Sequence, residues 1–151
     1  MKQIINKKVN MIEKIETGWN ANVGVPMNDK PTLIHRDEAM LMFHLMNEEL
    51  LEYKLAVNKI VQKLDDLEDL TYEDSAAIII EIADALADLQ YLILGTVCQF
   101  GLHKKFDDIM EEVYRSNMTK LQDGKLIKRS DGKVLKPSTY SPPNIGAILK
   151  K

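Results

Sequence analysis

Residues 73–100 read EDSAAIIIEIADALADLQYLILGTVCQF, and they decide the fold that we expect. The stretch is long, mostly apolar and free of proline, so it predicts one long helix. From position 76 onward its only charged residues are Glu81, Asp84 and Asp88, and their spacing puts them on one narrow stripe. A solvated face normally mixes charge signs. Since no Lys or Arg lies one helical turn away, this stripe needs a partner from elsewhere.

A second acidic stripe lies on the preceding predicted helix, which runs from about Asp37 to Val61. Glu48 and Glu52 lie one above the other on this helix, with Glu49 beside them. Taken alone, these three acids also fit an ordinary solvated face. Together with the stripe on the next helix they predict a cation cage, because hard divalent cations prefer carboxylate oxygens.

The type of cation follows from the donors that are present. No His stands three or four residues after these acids, so the Glu-x-x-His pattern of di-iron bundles is absent from the sequence. An oxygen-only set of ligands favours Mg²⁺ or Mn²⁺ over iron or zinc. We therefore predict Mg²⁺ as the cofactor, with Mn²⁺ as the substitute.

Local signals set the ends of the predicted helices. The apolar spacing of residues 1–17 indicates a first helix, which Gly18 ends. The helix over residues 73–100 has Thr71 as its expected N-cap, with Asp74 three residues further on, and Gly101 as its stop.

The remaining segments complete the predicted architecture. Residues 18–34 form an irregular connection, and residues 104–119 carry the apolar face of a fourth helix. Beyond Lys120 the helical period is lost, and the Asp-Gly pairs at 123–124 and 131–132 indicate a small hairpin or two successive turns. Pro137, Pro142 and Pro143 predict an extended C-terminal end. We predict an all-α, antiparallel four-helix bundle with an irregular basic C-terminal arm.

Length and composition suit one small domain. We expect a single domain over residues 1–151, with a helical core at about 1–119 and the arm at 120–151. The net charge of −3 gives no basic surplus for nucleic acid. The uncharged run Leu89–Leu102 is shorter than the about 20 residues of a membrane span, and the N-terminus lacks a signal-peptide core. We expect a cytoplasmic protein that binds neither nucleic acid nor membrane.

The two acidic motifs resemble a known signature. Glu48-Glu49-x-x-Glu52, followed further along by Glu81-x-x-Asp84, is similar to the motif of the all-α NTP pyrophosphohydrolase superfamily. That superfamily includes MazG proteins, phosphoribosyl-ATP pyrophosphohydrolases and the dimeric dUTPases. The resemblance implies a Mg²⁺-dependent enzyme that hydrolyses a (d)NTP to (d)NMP and pyrophosphate.

The tail narrows the resemblance to one branch. Residues 115–120, 123–124, 129–137 and 140–143 resemble the MazG-like branch that is often described as phosphoribosyl-ATP pyrophosphohydrolase-like. The Trp-Asn pair at 19–20 fits the N-terminal segment of that branch. The resemblance covers nearly the whole chain, but it does not fix the nucleotide.

Roles for the acidic residues come from this resemblance. It implies that Glu48, Glu52, Glu81 and Asp84 hold Mg²⁺ against the triphosphate. It also implies that Glu49 orients or deprotonates the water that attacks between the α- and β-phosphates. Three roles stay open for Asp88: supporting the metal ligands, pairing with a lysine of the tail, or lying at the polar edge of the bundle.

The arm and the first connection supply the substrate contacts that we expect. Lys120 and Asn117 end the fourth helix, where they can reach phosphate oxygens. Tyr140 either packs the arm down or hydrogen bonds the substrate. Trp19 either stacks on a base or packs in the core, and Asn20 is a candidate to read a base edge. The candidate substrate-binding residues are Trp19, Asn20, Arg115, Asn117, Lys120, Lys133, Lys136 and Tyr140.

Several alternatives remain at this point. The substrate is dUTP or a non-standard dNTP in our first interpretation, and phosphoribosyl-ATP in the second. A third interpretation is a helical interaction module that binds metal without catalysis. Small bundles often bury surface in symmetric assemblies, and the relatives that this chain resembles are dimers or dimers of dimers. We therefore expect a homodimer or a dimer of dimers.

Overall fold

The computed structural model of the protein describes residues 11–65 and 70–150, and for Trp19 and Leu64 the backbone alone. The chain folds into two compact units, which divide after Gly101. Almost all regular structure in the described residues is helical, so the predicted all-α class is confirmed. None of the helices described combines the length and the apolar character that crossing a membrane requires.

The N-terminal part of the first unit is helical beyond the predicted stop. A π-helix at Ile15–Asn20 continues into the short helix α1 (Ala21–Val23). The prediction that Gly18 ends the first helix was wrong, because this glycine lies inside the π-helix. The chain turns instead at Gly24, whose φ of 69° is the left-handed conformation that glycine adopts without strain. The predicted residues 1–10 of this helix lie outside the described part.

Two long helices, α2 (Arg36–Asp65) and α3 (Tyr72–Gln99), dominate the first unit. They pack antiparallel, and each begins and ends within a few residues of its prediction. Ala56 of α2 and Ala85 of α3 are both buried. Because these side chains are small, the two backbones can approach closely and the longer polar side chains lie at the edges of the contact.

The ends of α3 follow the predicted signals. The Thr71 hydroxyl accepts a hydrogen bond from the backbone N–H of Asp74, and the Asp74 side chain accepts one from the backbone N–H of Thr71. This reciprocal capping box satisfies two amides that the first turn leaves without helical partners. At the other end, Gly101 follows the C-cap residue Phe100 with a φ of 67°. Both predicted boundary signals are therefore confirmed.

The connection between α1 and α2 packs along the end of α3. The side-chain amide of Asn28 donates to the Gln99 carbonyl at 2.7 Å, and the Thr32 N–H donates to the Phe100 carbonyl at 3.1 Å. Helix ends leave carbonyl groups without intrahelical partners. The connection supplies partners for two of these carbonyl groups.

The second unit begins with a 3₁₀ turn at His103–Lys105, which leads into helix α4 (Phe106–Met118). The predicted fourth helix is thus confirmed, apart from its tighter first turn. In the arm, strands β1 (Leu121–Gln122) and β2 (Lys125–Leu126) form a hairpin. Its turn residues Asp123 and Gly124 have φ values of 49° and 74°, as a type I′ turn requires.

The rest of the arm contains a second turn and a short helix. An antiparallel bridge joins Lys128 to Val134 around Gly132, so the hairpin and the successive turn are both present. The prediction of an extended end was wrong, because residues Ile145–Leu149 form helix α5. Asn144 caps this helix by accepting a hydrogen bond from the Ala147 N–H. In the sequence, Asn144 directly after the last proline is the residue that indicates this helix start.

Candidate active site

The antiparallel packing of α2 and α3 brings their acidic stripes towards each other. Ion pairs mark the register: Lys63 Nζ lies 3.9 Å from Asp74 Oδ2, and Lys59 Nζ lies 2.5 Å from Glu81 Oε1. A step backwards along α2 is a step forwards along α3. Seven residues back from Lys59 is Glu52 and seven residues forward from Glu81 is Asp88, so the two stripes overlap where Glu52 comes opposite Asp88.

A cleft of about 480 Å³ opens along this contact. Glu52 lines it from α2, and Glu81 and Asp84 line it from α3. Its volume lies within the range of about 300–1,000 Å³ that is usual for small-molecule sites. Three of the four predicted metal ligands thus line the same cleft. The other lining residues are Leu55, Ala56, Asn58, Lys59 and Gln62.

Glu49 is the most enclosed of the three acids in the motif on α2, being half-buried where Glu48 and Glu52 are exposed. Burial raises the pKa of the Glu49 carboxyl above its usual value, and the charges of four neighbours raise it further. In decreasing order these neighbours are Glu52, Asp88, Glu48 and Asp84. The effect shows that five carboxylates from two helices lie within electrostatic range of one another.

The positions of Glu48 and Asp88 add to what the sequence predicts for the site. Glu48, a predicted metal ligand, is exposed and is not among the residues that line the cleft. Asp88, whose role the spacing left open, acts more strongly on Glu49 than Glu48 does. Asp88 lies one turn from Asp84 on the same stripe of α3. This spacing in the sequence indicates that Asp88 lies near the site.

Lys59 is a residue of the cleft that the acidic motifs do not predict. Its ammonium group donates to both Glu81 carboxylate oxygens, at 2.5 and 2.6 Å. The partner from elsewhere that the stripe on α3 needs is therefore, for Glu81, a lysine and not only the predicted cation. Helical spacing indicates pairs within one helix, whereas this partner comes from the neighbouring helix. Lys59 follows Glu52 by seven residues, so it lies on the same face of α2.

The donor set fits a hard divalent cation. Three carboxylates are among the residues that line the cleft, and carboxylate oxygens are the preferred ligands of Mg²⁺ and Mn²⁺. The raised pKa of Glu49 records a repulsion that a bound cation would relieve. Among residues 11–65 and 70–150, no three His, Cys, Asp or Glu side chains stand together as a finished ligand set. Loading a cation therefore requires these exposed side chains to change rotamer.

The N-terminal candidates lie in the π-helix of the first unit. The side chain of Trp19 lies outside the described part of the structure, so its predicted stacking stays a prediction. Asn20 is only 4% exposed, and its Nδ2 has no hydrogen-bond partner within the described residues. A buried amide donor without an acceptor is unfavourable.

Arg115, predicted to contact phosphate, holds the arm of the second unit in place. Its Nε and Nη2 donate to Glu112 at 2.7 and 2.9 Å, and its Nη2 also donates to the Pro142 carbonyl at 3.2 Å. Glu112 in turn accepts from the Asn144 N–H at 2.7 Å. These contacts fix residues 142–144 against α4. The guanidinium group of Arg115 is therefore already hydrogen-bonded within the second unit.

Four other candidates lie together in the second unit. Lys120 Nζ donates to Asn117 Oδ1 at 2.7 Å, and Lys136 Nζ lies 4.6 Å from the centre of the Tyr140 ring. A hydrogen bond with Ser116 lowers the pKa of Tyr140, and the charges of Lys136 and Lys120 lower it further. The structure therefore gathers two ammonium groups around one phenol.

Lys133 lies apart from this group, in the second turn of the arm. Its backbone N–H donates to Asp131 Oδ1 at 3.1 Å, and Asp131 also pairs with Arg129. These contacts shape the turn at Gly132. The Lys133 side chain is exposed.

Comparison with known proteins identifies one family. The sequence model described as phosphoribosyl-ATP pyrophosphohydrolase matches residues 22–117, which is more than half of the chain. The matched span contains both acidic stripes and ends within α4. No curated protein matches the chain.

Proposed function

Because the chain belongs to the phosphoribosyl-ATP pyrophosphohydrolase family, within the MazG-like branch of all-α NTP pyrophosphohydrolases, we propose that it hydrolyses a (d)NTP to (d)NMP and pyrophosphate. Enzymes of this family are hydrolases of phosphorus-containing anhydrides and generally depend on a divalent metal. The observation that carries the proposal is the cleft lined by Glu52, Glu81 and Asp84, with Glu49 within electrostatic range of Glu52 and Asp84.

The proposed cofactor is Mg²⁺, with Mn²⁺ as a substitute. Glu52, Glu81 and Asp84 would hold it from the walls of the cleft, and Glu48 would join them after a change of rotamer. When bound, the cation supplies neutralisation of the charge on the phosphate oxygens. The support for this assignment is the oxygen-only donor set, since hard cations prefer such donors.

Glu49 is the proposed general base. It lies close to the carboxylates of the cleft without lining it, so it stays available for a water molecule. A raised pKa makes its carboxylate a better proton acceptor. The water oxygen bonds to the α-phosphorus, the bond from that phosphorus to the bridging oxygen of the β-phosphate breaks, and Glu49 receives the proton. The products are the monophosphate and pyrophosphate.

The substrate contacts form the remaining part of the proposal. Asn117, Lys120, Lys136 and Tyr140 offer hydrogen-bond donors and positive charge, which suit phosphate oxygens. Arg115 supports the arm from which Tyr140 comes. Lys133, which is exposed, is a weaker candidate. Trp19 and Asn20 are the proposed contacts to the base, and dUTP or a non-standard dNTP is the proposed substrate.

Phosphoribosyl-ATP is a second candidate substrate, favoured by the description of the matching family. Both candidates contain the same type of phosphoanhydride and yield pyrophosphate. They differ in the base, in the sugar and in the phosphoribosyl group that only phosphoribosyl-ATP carries. The acidic cleft is equally suited to both reactions, so the substrate must be decided by assay.

We also propose that the protein is a homodimer or a dimer of dimers. Large apolar side chains of both long helices are exposed in the protomer, with Phe43 59%, Ile79 65% and Ile80 69% exposed. Exposed apolar side chains of this size offer surface that association would bury. A second copy of the chain would cover it symmetrically.

The test is product identification with a panel of canonical and modified (d)NTPs and phosphoribosyl-ATP, with Mg²⁺ or Mn²⁺. We expect monophosphate or phosphoribosyl-AMP together with pyrophosphate. Diphosphate plus inorganic phosphate would contradict the proposed bond cleavage. Addition of a chelator should abolish turnover, and an excess of Mg²⁺ should restore it.

Variants separate the enzyme from a non-catalytic metal-binding module. Asp84→Asn should weaken Mn²⁺ binding in calorimetry and lower kcat. Glu49→Gln should lower kcat by about 100-fold or more, as expected for loss of a general base, while retaining much of the metal affinity. Glu73→Gln is the matched control, since this exposed acid lies in the first turn of the same helix as Asp84. Metal binding without turnover of any substrate would favour the module.

A further inference from the structure

Lys59 joins the acidic cleft to a second cleft beside it. Lys59 and Glu81 line both the cleft of about 480 Å³ and a neighbouring cleft of about 330 Å³. The ammonium group bonds both oxygens of Glu81, although each side chain remains about half exposed to solvent. Ion pairs with this degree of exposure contribute little to folding stability. The pair can therefore be exchanged without disturbing the helices.

The charges in the larger cleft give this lysine a distinct position. Among the described residues that line the cleft, Lys59 carries the one positive charge, against the carboxylates of Glu52, Glu81 and Asp84. A triphosphate that enters this cleft meets a strongly acidic wall. Among the described lining residues, Lys59 is the one whose charge attracts phosphate oxygens there.

The chemistry of a lysine side chain suits such an exchange. Its ammonium is a compact charge with three donors on a flexible four-carbon stem, so it can bond a carboxylate or a phosphate from the same backbone position. Helix α2 fixes that position two turns beyond Glu52. Rotation about the side-chain bonds is enough to move the ammonium between the two clefts.

We propose that Lys59 is a phosphate-binding residue of the acidic cleft, which holds Glu81 in the metal-free protein and bonds the phosphate chain once Glu81 ligates a divalent ion. This inference rests on the proposed function, since it uses the same cleft and the same substrate class. It adds to the metal ligands a residue that no acidic motif contains. Lys59 thus competes with the cation for Glu81 and cooperates with it in binding phosphate.

The two halves of this role predict opposite effects of one substitution. In Lys59→Met the competitor for Glu81 is gone, so the protein alone should bind Mn²⁺ several-fold more tightly. With Mn²⁺ at saturation, the same variant should bind inorganic pyrophosphate about tenfold more weakly, the loss expected for one charge-assisted hydrogen bond. Lys59→Arg keeps the charge and should retain most of the pyrophosphate affinity.

Calorimetric titration of the full chain, first with Mn²⁺ and then with pyrophosphate, measures both effects. Lys54→Met is the control, because Lys54 is exposed on the same helix but does not line either cleft. Unchanged Mn²⁺ affinity in Lys59→Met would overturn the exchange, and unchanged pyrophosphate affinity would overturn the phosphate contact. Equal melting temperatures of the variants show that folding is intact.

The same titrations separate this inference from the proposed function. If the wild-type protein hydrolyses none of the nucleotides tested, the proposed function fails, while both affinities still report on Lys59. If hydrolysis is found, Lys59→Met should raise KM more than it lowers kcat. A change in kcat alone, with wild-type pyrophosphate affinity, would also overturn the inference.

Discussion

A side chain on Gly101 would overlap the carbonyl oxygen of Lys30, so the connection before α2 closes directly onto the end of α3 at this glycine. Asn28 and Thr32 tie the same connection to Gln99 and Phe100. The end of α3 and the path of the connection are therefore determined together. The acidic cleft depends on α3 keeping its register against α2, and this contact anchors one end of that helix.

Gly101→Ala should destabilise the protein by at least about 2 kcal/mol. The new methyl group meets backbone rather than a flexible side chain, and the φ of 67° adds strain for any residue with a Cβ. Gly95→Ala is the control, because no atom lies within 4 Å of its Cβ position and Gly95 lies inside α3. It should stabilise by about 0.5–1 kcal/mol. Urea unfolding followed by circular dichroism compares them, and equal midpoints would contradict this reading of the contact.

The pair formed by Glu112 and Arg115 should make stability depend on acid pH. Hydrogen bonds from Arg115 and from the Asn144 backbone hold the pKa of Glu112 down to about 2, below its ordinary value of 4.5. The folded state therefore favours the charged form, and this contribution is fully present above about pH 4.5 and is lost as the pH falls through about 2. The difference in melting temperature between wild type and Glu112→Gln should shrink over that interval.

A carboxyl titration by NMR tests the same point directly. Its midpoint for Glu112 should lie near pH 2. A midpoint near 4.5 would mean that the Arg115 contact is absent in solution. Glu111→Gln is the neighbouring control, since Glu111 is exposed on the same helix, and it should leave the acid dependence unchanged.

Glu49→Gln should raise the melting temperature of the metal-free protein at neutral pH. Burial and four neighbouring carboxylates raise the pKa of Glu49, so its charged form is disfavoured in the folded state. A raised carboxyl pKa removes stability as the pH rises above the unfolded value, and the neutral amide avoids that loss. Scanning calorimetry in the presence of a chelator measures the effect. A lower melting temperature for the variant would show that Glu49 makes a stabilising contact.

Ile79→Glu should convert the proposed dimer to a monomer. Ile79 is 65% exposed in the protomer, so a charge there has little effect on folding and a large effect on an apolar interface. Light scattering after size-exclusion chromatography should give half the wild-type mass. Gln90→Glu, an exposed polar position on the same helix, serves as the control for added charge. An unchanged mass for Ile79→Glu would place the interface elsewhere.

The sequence by itself determined the helices and the acidic motifs, because these depend on residues a few positions apart. Apolar spacing located α2, α3 and α4, the Thr71–Asp74 box marked one start, and the Glu81-x-x-Asp84 spacing indicated the family. Gly18 misled because a π-helix, supported by packing on α3, tolerates a glycine that would otherwise suggest a stop. The helix after Asn144 was missed because three prolines outweighed a single cap residue.

Only the tertiary structure decided which groups from different helices meet. Residues 22 positions apart, Lys59 and Glu81, form an ion pair that no local spacing predicts, since it depends on the antiparallel register of α2 and α3. The same register brings Asp88 close to Glu49 and leaves Glu48 outside the cleft. Helical periodicity fixes the face on which a side chain lies, but the partner across the interface is set by how two faces slide together as their small residues, Ala56 and Ala85, become buried.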